Sequence, residues 1–271
     1  MRTSEWIILS VLSFLFVLAW VRPLAWRRRL AVTARSVLGA ELILAVVYLE
    51  GIFPARAGEI VRDWLPAAFL LVVYWQVGEF FSGPNVALQD WLLRSDRSFF
   101  EAVFRGRPEP GVVLSSYLEF NYLLCYPVVP AGLAVLYLAG KADADAYWTV
   151  VLVPTYLSDL TVAFLPVLPP RAVEQEPPVR NPATPLRRLN LWVLRHGSIQ
   201  VNTFPSAHVA STLATALAVL AQWPAAGIVF LVIAVSIAAA VVLGRYHYAL
   251  DALLAAALAL GWFLLFNAFL E

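Results

Sequence analysis

AAGIVFLVIAVSIAAAVVLG, residues 225–244, contains no acidic side chain, no basic side chain and no proline. A helix of about 20 residues, at about 1.5 Å per residue, covers the roughly 30 Å hydrocarbon core of a bilayer. Trp223 precedes this run and Arg245 follows it, as residues at a membrane surface do. The stretch reads as a transmembrane helix, and the remaining sequence is read outward from it. The chain of 271 residues is 61% hydrophobic and 14% charged, against roughly 25% charged in a soluble globular domain. So much apolar surface cannot be hidden from water, and lipid is the solvent that fits. A net charge of +1 gives no reason to expect a nucleic-acid partner. The single cysteine, Cys125, excludes an intrachain disulfide.

Eight apolar runs of spanning length are expected, at about 6–24, 36–53, 65–81, 117–139, 147–168, 206–222, 225–244 and 248–269. The first is followed by Arg22, Arg27, Arg28 and Arg29 and lacks a small-residue cleavage site, so it reads as a retained anchor. The second carries Glu41 and Glu50. Very short turns make the last three antiparallel neighbours. Trp6, Trp26, Trp64, Trp148, Trp223 and Trp262 are expected to form an interfacial belt. Ala252, Ala255, Ala256, Ala257, Ala259 and Gly261 allow close helix approach in the last span. Residues 82–111 and the Leu186–Arg195 stretch are amphipathic and basic, a pattern that suits helices lying in the interface. Phe80, Phe81, Phe99 and Phe100 are expected to contact lipid, whereas Glu79, Glu119 and Asp159 should face the bundle interior, paired. The expected fold is all-α, a polytopic membrane helix bundle forming one domain over 1–271. An amino-terminal hairpin of two spans covers 1–60, and a core covers 61–271.

Polar residues gather where apolar runs begin or end. In Thr203-Phe204-Pro205-Ser206-Ala207-His208, Pro205 and Ser206 read as a helix start, whose free N–H groups and dipole favour an anion. His208 lies one turn in. In Arg245-Tyr246-His247-Tyr248-Ala249-Leu250-Asp251, His247 and Asp251 are spaced i, i+4, so on a helix the carboxylate can hold one imidazole nitrogen. Two histidines beside an anion-binding helix end suggest phosphoryl transfer. His196, the third, reads as a surface residue of the basic connection. With eight crossings, Arg171, the Ser206 helix start and the Arg245–Asp251 turn fall on one face of the membrane.

Phe204-Pro205-Ser206-Ala207-His208 and His247-Tyr248-Ala249-Leu250-Asp251 resemble the second and third motifs of the type 2 phosphatidic acid phosphatase (PAP2) superfamily. Leu168-Pro169-Pro170-Arg171 resembles its first motif, in the form of the inositol-phosphorylceramide-synthase-like branch. The similarity covers the last six spans, roughly 65–269. It implies that His247 attacks phosphorus to give a phosphohistidine, that Asp251 orients its ring, and that His208 protonates the leaving oxygen. Arg171, Arg245, the Ser206 hydroxyl and the N–H groups around Ala207 are then expected to bind the phosphoryl oxygens. The implied substrate is a lipid phosphate, with membrane lipids as surroundings, no cofactor and no metal. The implied location is the cell (plasma) membrane.

The motifs also depart from the family pattern. Ala207 stands where glycine is usual, Phe164 where a lysine is expected and Val241 where an arginine is expected, while Arg245 lies two residues before His247. Arg187, Arg188 and Arg195 could fill the gap, or contact lipid phosphates, or the substrate could be a less charged diester. Sidedness gives two opposed expectations. Of the 19 lysines and arginines, Arg2, Arg56, Arg62 and Lys141 fall on the far face and the others, Arg107 and Arg180 included, on the motif face. Positive-inside then makes the motif face cytoplasmic, whereas the resemblance implies an outer or lumenal one. Two other functions fit the residues less directly. One is a transporter or flippase-like bundle; the other is a zinc hydrolase using His208, His247 and Asp251.

Overall fold

The computed structural model describes residues 1–49, 52, 55–105, 109–179 and 181–269. Glu50, Arg107 and Arg180 therefore lie outside the described residues. Twelve α-helices follow one another, and among the described residues they are joined by no strand: α1 (Thr3–Val21), α2 (Trp26–Leu49), α3 (Ala55–Gly78), α4 (Val86–Phe104), α5 (Val112–Leu124), α6 (Val128–Leu138), α7 (Ala144–Leu160), α8 (Pro170–Val173), α9 (Pro185–Gly197), α10 (Ala207–Gln222), α11 (Pro224–Leu243) and α12 (Ala249–Ala268). The chain is an all-α bundle. Among the described residues, α1, α2, α3, α11 and α12 are long and apolar enough to cross a membrane, and α5 with α6 makes one further, bent span. This is an integral membrane protein.

The eight expected runs fall on α1, α2, α3, the α5–α6 pair, α7, α10, α11 and α12 with shifted bounds, but α7 and α10, of 17 and 16 residues, are not among the helices long and apolar enough to cross a membrane. α2 begins ten residues ahead of the expected start because charge bars a residue from the bilayer core without breaking a helix. Its arginines find acceptors instead: Arg28 donates to the Phe81 carbonyl at 2.6 Å, and Arg29 to the Ala19 carbonyl at 3.1 Å. The fourth span breaks after Leu124, where its two pieces meet at 68°. Pro127 has no N–H to give and its ring clashes with the preceding turn. The chain tightens there, with Cys125 N–H donating to Tyr122 C=O at 3.2 Å. Such adjustments keep backbone groups paired in lipid, where each loss costs several kcal/mol.

α10 is the axis of the bundle, packing against α6, α7, α11 and α12. Its sequence is rich in Ala, Ser and Thr, and eleven of its residues are buried, including Ala210, Thr212, Ala214 and Thr215. Protein rather than lipid surrounds it, which is why a helix of 16 residues suffices. The turn into α11 is tight. A Cβ on Gly227 would stand 2.2 Å from the Leu220 Cα, so that position needs glycine.

Polar ties distinguish the two ends of the bundle. At one end Arg62 pairs with Glu5 at 2.7 Å, Arg2 pairs with Asp63, and Asp145 accepts from the Thr3 and Ser4 N–H groups. Trp148, expected in the interfacial belt, is buried there because its indole N–H donates to the Asp63 carbonyl at 2.6 Å. At the other end Arg35 pairs with Glu79 at 2.9 Å, and Arg22 donates to the Ala163 carbonyl. All the sequence motifs lie at this second end.

Candidate active site

Three backbone hydrogen bonds bring the three motif segments together, and each joins a different pair. Asn202 N–H donates to Val167 C=O at 2.9 Å, tying the stretch before α10 to the stretch before α8. Ser206 N–H donates to Asp251 C=O at 3.1 Å, tying the start of α10 to that of α12. Arg171 N–H donates to Arg245 C=O at 3.1 Å, tying α8 to the α11–α12 turn. Convergence is thus built from main-chain groups that had to be paired somewhere.

Local sequence sets each start. Ser206 is the N-cap of α10, its hydroxyl oxygen accepting the Val209 N–H at 3.4 Å. Thr203 Oγ1 accepts the Ala207 N–H at 2.9 Å. The His208 N–H is left as the first-turn amide without an acceptor among the described residues. At the start of α12, Asp251 Oδ2 accepts the Tyr248 N–H at 3.1 Å. The same oxygen accepts from Asn202 Nδ2 at 2.6 Å and lies 3.3 Å from His247 Nδ1.

The two histidines face each other, with His208 Nδ1 3.2 Å from His247 Nε2. His247 is 4% exposed and Asp251 fully buried, while His208 remains partly exposed. One wall beside His208 is aromatic: the rings of Tyr122 and Tyr126 have centroids 5.7 and 6.1 Å from its own. Tyr122 stacks on Tyr246 with centroids 3.7 Å apart. His247 lies in the α11–α12 turn, outside the spans. Burial first, and the nearby positive Arg171 second, lower its pKa from 6.5 to about 3. At neutral pH the ring is therefore the free base, the nucleophilic form.

The expected phosphate-binding groups divide into two sets. Arg171 is partly exposed, its guanidinium 5.5 Å from the Tyr246 ring and 3.4 Å from the Tyr246 carbonyl, with no carboxylate partner among the described residues. The Ser206 hydroxyl donates to no acceptor among the described residues, and the residue is fully buried. By contrast, the Ala207 N–H is already given to Thr203. Arg245 sits in the turn, as its position before His247 requires, but its guanidinium is given to Glu174 and Asp96 at 2.5 and 2.6 Å. Arg187 pairs with Glu119 at 2.6 Å and lies 5.9 Å from the Tyr246 ring; Arg188, Arg195 and His196 are exposed.

Glu119 is interior and paired, accepting from Arg187, Asn190 and the Tyr246 hydroxyl. Asp159 is buried too, but its Oδ1 has no partner among the described residues. Phe80 and Phe100, both expected against lipid, are buried, and the Arg245 guanidinium lies 4.7 Å from the Phe100 ring. Sequence reasoning missed Asn202, Thr203 and Asp96. The first two directly precede the second motif, and that adjacency was the available signal. Among the described residues, no group of three or more His, Cys, Asp or Glu side chains is arranged to hold a metal ion.

A model of the PAP2 superfamily matches residues 86–265, more than half of the chain. No curated protein and no solved structure matches.

Proposed function

The chain belongs to the PAP2 superfamily, whose chemistry is of the phosphatase and phosphotransferase kind, and we propose that it is a membrane-embedded lipid phosphate phosphatase or phosphotransferase working through a phosphohistidine at His247. The observation that carries this reading is the line Asp251–His247–His208, with contacts of 3.3 and 3.2 Å. With Asp251 receiving the Nδ1 proton, His247 presents the Nε2 lone pair. Phosphorus enters where that nitrogen now meets His208.

In the first step the His247 Nε2–phosphorus bond forms and the bond to the leaving oxygen breaks. His208, held as the imidazolium beside the anionic substrate, gives its Nδ1 proton to that oxygen and is left neutral. In the second step the oxygen of water or an alcohol bonds to phosphorus, the His247 Nε2–phosphorus bond breaks, and neutral His208 takes the proton of the attacking hydroxyl. Covalent capture replaces one difficult displacement by two easier ones. Charge on the transferred phosphoryl group is met by Arg171, the Ser206 hydroxyl and the His208 N–H at the positive end of α10. With Arg245 and Arg187 held by carboxylates, a phosphodiester suits this pocket better than a more highly charged monoester. His208, His247, Asp251 and Arg171 gather at one end of the bundle, where apolar runs begin or end, which favours an enzyme over a transporter.

The test is product analysis of purified protein in detergent with a panel of lipid phosphates, with and without an added alcohol. Release of phosphate or of a phosphomonoester, or transfer to the alcohol, abolished in His247→Ala, is expected. Undiminished turnover in that variant would remove the nucleophile assignment.

A further inference from the structure

Arg245 occupies the left-handed region at φ 63°, which a residue with a long side chain adopts only when its surroundings hold it there. Its holders come from two other segments. Glu174, three residues beyond Arg171, accepts from Arg245 Nε at 2.9 Å and from Nη2 at 2.5 Å. Asp96, on α4, places Oδ2 2.6 Å from the same Nη2. All three side chains are almost completely buried.

Asp96 also reaches past the histidine. Its Oδ1 accepts the Ala249 N–H at 2.8 Å, in the first turn of α12. One carboxylate thus grips the turn on both sides of His247: a side chain two residues before it and a main-chain amide two residues after it. The rest of α4 is directed to the same end. Its buried stripe is Gln89, Leu92, Asp96 and Phe100. The Gln89 side chain accepts the Leu168 N–H at 2.7 Å and donates to the Leu168 carbonyl and the Tyr248 hydroxyl. Phe100 lies beneath the Arg245 guanidinium.

We propose that Asp96 is the positioning residue for His247, acting through Arg245 and the Ala249 amide, and that α4 is the brace fixing the first and third motif segments relative to each other. This rests on His247 being the nucleophile. Arg245 then serves as a strut for the turn, and Asp96, which lies in none of the motifs, sets the direction from which His247 approaches phosphorus.

Two variants separate the two grips. Asp96→Asn keeps an oxygen for the Ala249 N–H and removes the charge facing Arg245, whereas Asp96→Ala removes both. With a lipid phosphate that the wild type turns over, kcat is expected to fall about tenfold in Asp96→Asn and about a hundredfold in Asp96→Ala. KM should stay within about twofold, and Asp96→Asn should unfold within a few degrees of wild type, because phosphate binding and the bundle are untouched. Asp96→Asn combined with Arg245→Gln should be no slower than Arg245→Gln alone, since both act through one contact. Wild-type kcat in Asp96→Asn, or additive losses in the pair, overturns the proposal. Hydrogen–deuterium exchange of the segment 244–251 in nanodiscs reads the same grip without turnover. If the wild type transfers no phosphoryl group, the proposed function fails, and the positioning claim is judged by exchange alone. Exchange about tenfold faster in Asp96→Ala supports it, and unchanged exchange overturns it.

Discussion

Asn202→Ala removes a single side-chain contact behind His247, the proposed nucleophile, and leaves the backbone tie to Val167 in place. Asn202 Nδ2 donates to Asp251 Oδ2 at 2.6 Å, and both residues are buried, 2% and 0% exposed. Leaving a buried acceptor without its donor costs about 1–3 kcal/mol. Asp251 keeps the Tyr248 N–H at 3.1 Å, so the carboxylate stays near its place but is free to turn away from His247 Nδ1. If the lost energy falls on the transition state, at about 1.4 kcal/mol per tenfold, kcat drops roughly 5- to 150-fold. KM should stay within about threefold, because Asn202 touches no group assigned to phosphate. The assay is steady-state turnover of a lipid phosphate in detergent micelles, with the unfolding temperature followed in parallel. A kcat within twofold of wild type, in protein of unchanged thermal stability, would refute the argument that Asn202 holds the carboxylate for catalysis.

Arg171→Ala should impair phosphate binding before chemistry, raising KM at least tenfold; unchanged KM and kcat would assign the phosphate clamp to another group. Lowering of the His247 pKa from 6.5 to about 3, by burial and then by Arg171, also has a consequence for stability. The unfolded chain takes up this proton near pH 6.5 and the folded chain does not. The contribution of neutral His247 is therefore full above about pH 6.5 and is lost as pH falls toward about 3. The unfolding temperature should fall as pH drops through that window, and more steeply in wild type than in His247→Gln; parallel profiles would contradict the buried neutral ring. EDTA should leave turnover unchanged, because the proposed steps route every proton and bond through imidazole; loss of activity restored by zinc would revive the zinc hydrolase reading.

Much of this architecture was legible because membrane sequences carry strong signals. Apolar length marked the spans, and the mixed basic and aromatic character of 82–111 and Leu186–Arg195 marked α4 and α9. Bounds were less legible at α2 and α3, where arginines extend a helix beyond the bilayer core once they find carbonyl or carboxylate acceptors. The spacing of His208, His247 and Asp251 could point to shared chemistry, but their meeting depends on main-chain bonds between segments far apart in sequence. Partner choice was the least legible part. The sequence offers Arg245 many carboxylates, and nothing local selects Asp96 and Glu174. Trp148 and Phe100 were misplaced for a related reason: an aromatic ring near a helix end serves equally in an interface or a core, and the partner of its polar edge or face decides.

The central claim is that His247 receives phosphorus, and the most direct measurement is mass spectrometry of protein quenched during turnover of a lipid phosphate. Phosphate on the peptide carrying His247, acid-labile and stable to base, is the result expected of wild type, with none in His247→Ala. Phosphate on another residue, or turnover without any phosphorylated peptide under conditions that trap it in a known phosphohistidine enzyme, would contradict it.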